Sequence, residues 1–100
     1  MQNNQKGTAP RRNQIVKRFG TPDETVGSLN DPRLQSESGL RFNEKWIYRN
    51  PCGEASRPRE RIVYWQRYDF LAAFRVEQDG RRIPESPGEL LAPFRGSGHG

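Results

Sequence analysis

A chain of 100 residues with 17 Lys and Arg against 12 Asp and Glu, a formal charge of +5, has room for one small domain. No apolar run approaches the ~20 residues of a membrane-spanning helix, and a lone cysteine, Cys52, excludes a disulfide framework. Leu, Ile, Val and Phe number only 19, but eight of the ten aromatic residues lie between Phe42 and Phe74, so a compact centre with polar flanks is expected.

Residues 1–10 are polar and end in Gly7-Thr8-Ala9-Pro10, the composition of a disordered arm. Arg11–Phe19 predicts a short helix with Ile15, Val16 and Phe19 on one face, closed by Gly20 and stopped by Pro22. Thr21-Pro22-Asp23-Glu24 combines a cap, a first-turn proline and a glutamate three residues on. A second brief helix is therefore expected, with Val26 and Leu29 inward. Asn30-Asp31-Pro32 is a turn, and Gln35–Gly39 reads as an exposed loop.

The period then changes. Leu40, Phe42, Trp46 and Tyr48 share a parity, with Asn43, Lys45 and Arg49 opposite, which predicts one half-buried strand. Asn50-Pro51-Cys52-Gly53 breaks it, and a loop runs to about Pro58. Ile62-Val63-Tyr64-Trp65 is apolar on both faces, as in a central strand. Phe70, Ala72, Phe74 and Val76 alternate again, Asp69 marks the turn before them, and Asp79-Gly80 is a turn signal. Arg82-Ile83 adds a brief last strand before Pro84. The absence of Gly and Pro from residues 59–79 also suits one long helix, but the density of Ile, Val, Tyr, Trp and Phe favours strands. Ser86-Pro87-Gly88 opens a tail ending in Gly96-Ser97-Gly98-His99-Gly100, within which Glu89–Phe94 is a short docking segment or simply disordered.

The expected architecture is α+β: one or two short N-terminal helices packed on a three- to four-stranded antiparallel meander. It spans residues 11–84, between a disordered arm (1–10) and a disordered tail (85–100).

Fourteen of the 17 bases are arginines, and most have acids nearby, as in Arg59-Glu60-Arg61, so a solvated mixed-charge surface is expected. Met1-Gln2-Asn3-Asn4-Gln5-Lys6 lacks the apolar segment of a signal peptide. A cytoplasmic protein is expected from the chain as written, or a periplasmic or outer-membrane-associated one if a leader has been removed.

Chemistry-bearing residues are few. His99 is the only histidine and sits among glycines, and one histidine with one cysteine offers no recognisable zinc spacing. Arg49 and Arg57 near Cys52 favour a thiolate, but a nucleophile also needs a positioned base, and none is evident. No phosphate-cradling glycine motif is present. No cofactor, no metal and no catalytic residue are expected.

The informative constellation is the centre, where Trp46, Tyr48, Tyr64, Trp65, Tyr68, Phe70 and Phe74 interleave with Arg41, Lys45, Arg49, Arg61, Arg67 and Arg75. On an open sheet face such rings stack bases while arginines hold phosphates. The alternative is that the rings fill the core of a domain poor in aliphatic residues.

A short helix ending in Phe19-Gly20-Thr21-Pro22, a strand with Glu44-Lys45-Trp46-Ile47-Tyr48, and a strand running Phe74-Arg75-Val76-Glu77-Gln78-Asp79-Gly80-Arg81 resemble the SmpA/OmlA small outer-membrane lipoprotein domains over roughly residues 13–83. The resemblance implies two helices on a three-stranded antiparallel sheet and a binding or scaffolding role. It transfers no lipid anchor, because Cys52 lies mid-domain, and no binding residue, because Gly20, Pro22, Trp46 and Tyr48 read as structural.

The expected function is non-catalytic contact with another protein through exposed sheet or the 50–58 loop. Tyr48, Arg49, Arg67, Tyr68 and Arg75 are the candidate surface. Nucleic-acid binding by the aromatic-basic face is the first alternative, and an enzyme with a Cys52 nucleophile the second.

Overall fold

The computed structural model describes residues 9–50 and 58–91. Helix α1 (Arg12–Phe19) is followed by β1 (Glu24–Gly27), β2 (Gln35–Glu37), β3 (Leu40–Phe42), β4 (Glu44–Arg49), β5 (Glu60–Gln66), β6 (Asp69–Val76), β7 (Arg82–Glu85) and helix α2 (Pro87–Leu91). Five strands form an antiparallel sheet in the order β1-β4-β5-β6-β7, and β2 and β3 form a separate hairpin. The α+β class and an antiparallel sheet are present as expected, but the sheet has five strands instead of three or four, a two-stranded hairpin is added, and the second helix follows the sheet instead of preceding it.

Residues 59–79 fold as two strands, not as a long helix, with the Arg67–Tyr68 turn joining Gln66 to Asp69. All of Ile62, Val63, Tyr64 and Trp65 are buried, because β5 is central and covered on both faces. On one face, Trp46, Val63, Trp65 and Ala73 pack under Ile15 of α1 and Leu90 of α2. On the other, Ile47, Ile62, Tyr64 and Val76 pack with Phe42 and Leu40 of the hairpin. Large rings make up much of both cores, at centroid separations of 5.0 Å for Trp46–Trp65 and 5.0 Å for Phe42–Tyr64.

Four local expectations are corrected. Thr21–Leu29 contains no helix: Thr25 and Val26 are β-branched, and the capping carboxylates serve β4 instead. Asp23 Oδ2 accepts from the Arg49 amide (2.7 Å), its own amide donates to Ile47 O (2.9 Å), and Glu24 pairs with the Arg49 guanidinium. Gln35–Gly39 is not a loop, since Gln35–Glu37 is β2, turned by Ser38 (φ 54°) and Gly39 (φ 79°) into β3.

Leu40–Tyr48 is not one strand. Asn43 interrupts it and reverses the parity, so Leu40 and Phe42 face the hairpin core whereas Trp46 and Tyr48 face the helices. Phe70 is likewise separated from Ala72 and Phe74. Tyr64 pairs with Ala72 but Trp65 with Phe70, so Leu71 is an extra residue that moves Phe70 to the helix face.

The ordered chain also continues past residue 84. Ser86 caps α2 by accepting from the Glu89 amide (3.1 Å), while Glu89 Oε1 accepts from the Ser86 amide (2.8 Å). This holds Leu90 in the core. The 92–100 part of the tail, the 1–8 part of the arm, Cys52 and His99 lie outside the described residues. Among the described residues, no helix is long and apolar enough to cross a membrane.

Candidate binding surface

Asn43 organises one end of the sheet. The residue is 1% exposed, and its amide donates to Trp65 O (3.1 Å). Its side chain donates to Leu29 O (2.9 Å) and Asp31 O (3.4 Å) and accepts from the Arg67 amide (2.7 Å). One carboxamide thus joins the loop before β2 to the turn after β5. Arg67 adopts φ 55°, a left-handed conformation seldom taken without glycine or asparagine. Its side chain donates to Leu29 O (3.2 Å), and its own carbonyl accepts from Arg12 Nη1 (3.1 Å).

Arg12 carries that connection inward. Its guanidinium lies 4.9 Å from the Trp46 ring and 5.4 Å from the Trp65 ring, and 2.7 Å from Glu44 Oε1 as an ion pair. The second Glu44 oxygen accepts from Trp46 Nε1 (2.9 Å). The turn is therefore anchored to α1, β4 and the β1–β2 loop. Tyr68, next to this anchored residue, is 72% exposed.

The five candidate residues do not form one patch. Arg67 and Tyr68 share the anchored turn. Tyr48 and Arg75 lie at the other end of the helix-covered face, either side of Arg61, and Arg49 is on the opposite face from Tyr48. Tyr48 is half-buried against Phe19 and donates its hydroxyl to Gly20 O (2.8 Å). Burial, with the Asp23 charge adding to it, pushes this phenol up to about 12, so it remains a donor. Arg49 pairs with Glu24 and Glu60, and Arg75 with Glu77 and Glu85.

The rings proposed to stack bases are mostly interior: Trp46, Tyr64 and Trp65 are buried, and Phe70 and Phe74 are half-buried against the two cores. The cations between them serve the fold. Lys45 pairs with Glu37, and Arg61 donates to both oxygens of Glu85, at 2.7 and 3.0 Å. Arg41 is exposed on the hairpin.

Glu85 receives Arg61 from across β6, and its side chain is 4% exposed. Replacing it with alanine is expected to cost about 2 kcal/mol, because two guanidinium groups that keep some access to water lose their shared acceptor. Urea unfolding measures this, and an unchanged midpoint would refute the contribution.

Asn43, Arg12, Glu37 and Glu85 are the residues that sequence reasoning missed as organisers. The one local signal was asparagine, a poor strand former, between Phe42 and Glu44. Among the described residues, no group of three or more metal-ligating side chains converges. No family model, curated protein or solved structure matches the chain.

Proposed function

We propose that this chain is a non-catalytic binding domain that acts by protein–protein contact, centred on the Arg67–Tyr68 turn. The observation that carries this reading is the exposure of Tyr68 on a turn whose backbone is fixed at φ 55° by Asn43 and Arg12. Tyrosine and arginine are the side chains that most often anchor interfaces, and a turn ordered before binding loses little entropy on docking. Exposed large apolar side chains otherwise comprise Val16 and Leu34 among the described residues.

The burial of the central rings favours protein over single-stranded nucleic acid, which needs several open rings beside unpaired cations. The likeness to the SmpA/OmlA domains supports a binding role. It belongs to the same proposal, with β1 standing where that architecture implies a second helix.

Photo-crosslinking tests the reading. Benzoylphenylalanine at position 68, introduced in cells that naturally make the protein, should trap a discrete protein adduct that the same group at position 81 does not. Tyr68→Ala should weaken binding of that partner about 30-fold, as expected for an interface anchor. Equal labelling from both positions would overturn the proposal. So would salt-dependent oligo(dT) binding that is lost in Arg67→Glu or Arg75→Glu.

A further inference from the structure

The β2–β3 hairpin packs Leu40 and Phe42 on one core, yet among the described residues its strands pair only with each other. At its base, Asn43 bonds to Trp65 O, Leu29 O and Asp31 O. Near its tip, one side chain makes the polar connection to the sheet. Glu37 Oε1 accepts from Lys45 Nζ of β4 (2.9 Å) and from the Tyr64 hydroxyl of β5 (3.0 Å). Arg82 Nη2 of β7 donates to that same hydroxyl (2.6 Å). Two strands of the sheet thus bond one carboxylate beside the Ser38–Gly39 turn, and a third supports it through the Tyr64 hydroxyl. Between base and tip, Leu40 and Phe42 supply the apolar contact, with Phe42 edge-on to Tyr64.

We propose that the hairpin is a flap, hinged at Asn43 and latched at Glu37, which opens as a unit while the five-stranded sheet stays folded. Opening would uncover Phe42, Tyr64 and the neighbouring Leu71 and Phe74, an apolar surface absent from the closed form. The groups facing the Glu37 carboxylate are Lys45, Tyr64 and Arg82, two cations and a neutral hydroxyl donor. The Lys45 hydrogen bond chiefly, with Tyr64 and the two positive charges adding to it, holds the Glu37 carboxyl below its usual 4.5 against a smaller effect of burial. Because the native value is the depressed one, the latch is complete above pH 4.5 and is lost as pH falls through that lower value.

Amide hydrogen exchange at neutral pH tests the flap, reading residues 35–42 and β5–β6 in the same molecules. In the unaltered protein the hairpin amides should exchange at least about tenfold faster than those of β5–β6, as expected for a sub-global opening. Glu37→Gln should speed hairpin exchange about tenfold further and change β5–β6 by less than about twofold, and Lys45→Met should act in the same direction. A common rate for both regions overturns the proposal. A hairpin insensitive to Glu37→Gln, or joint loss of protection in both regions, does so as well.

Discussion

Replacing Gly27 with alanine is expected to destabilise the protein by about 3–5 kcal/mol, the largest loss from removing or adding one small group in the sheet. Two costs combine. Gly27 has φ 79°, where a side chain meets its own backbone, at about 1–2 kcal/mol. A Cβ built there would also lie 2.2 Å from Asn43 O and 3.1 Å from Asn43 C. That carbonyl cannot step aside freely, because it accepts from the Ser28 amide (3.1 Å) while the Asn43 amide is committed to Trp65 O (3.1 Å). Relief requires β1 to part from β4. Gly80 provides the control, since it has φ 93° and no neighbouring heavy atom within 4 Å of the point a Cβ would occupy. Gly80→Ala should show the conformational cost alone. Equal urea midpoints for the two variants would remove the steric part of the argument.

The elements that were legible are those whose signal is local and unbroken. Helix α1 is readable from Ile15 and Phe19 with Gly20 beyond, and β5 from four consecutive large apolar residues. The pattern failed where a distant partner decides. Thr21-Pro22-Asp23-Glu24 satisfies every local rule for a helix start, yet the amide and guanidinium of Arg49 take both carboxylates. Asn43 and Leu71 each shift the strand period by one residue, so a single uninterrupted parity assigned Phe42 and Phe70 to the wrong faces.

The candidate surface was legible only in residue type. Tyr and Arg between strands at 67 and 68 can be read as a turn, but nothing near them says that Tyr68 is open while Tyr64 is enclosed. Exposure is decided by the hairpin that covers one and leaves the other. The arginines were misleading for the same reason. Some find acids beside them, as Arg33, Arg75 and Arg81 do, but two of the pairs that hold the fold are remote in sequence: Arg61 finds Glu85, and Arg12 finds Glu44 across two tryptophan rings. Part of the basic composition therefore serves partly buried ion pairs within the fold, beside the exposed pairs of Arg33 and Arg81.

Asn43 is where these threads meet, and substituting it should cost about 2–4 kcal/mol. Asn43→Ala removes the acceptor of the Arg67 amide and the donor to Leu29 O and Asp31 O in a site 1% exposed. Leu29 O keeps the Arg67 guanidinium, so the exposed loss falls mainly on the Arg67 amide and Asp31 O. Asn43→Asp separates the two halves of the role. Its carboxylate still accepts from the Arg67 amide, but it faces two carbonyls with no hydrogen to offer and carries a buried charge near Glu44. Both variants should lower the urea midpoint, whereas only Asn43→Ala should abolish protection of the Arg67 amide from hydrogen exchange. Loss of that protection in both would mean that the left-handed turn is held by the loop as a whole and not by one oxygen. Retained protection in Asn43→Ala would mean that Arg12 and the β5–β6 pairing fix the turn without Asn43. In the expected case, one buried carboxamide sets the strand parity, closes the hinge of the hairpin and holds Tyr68 in the open.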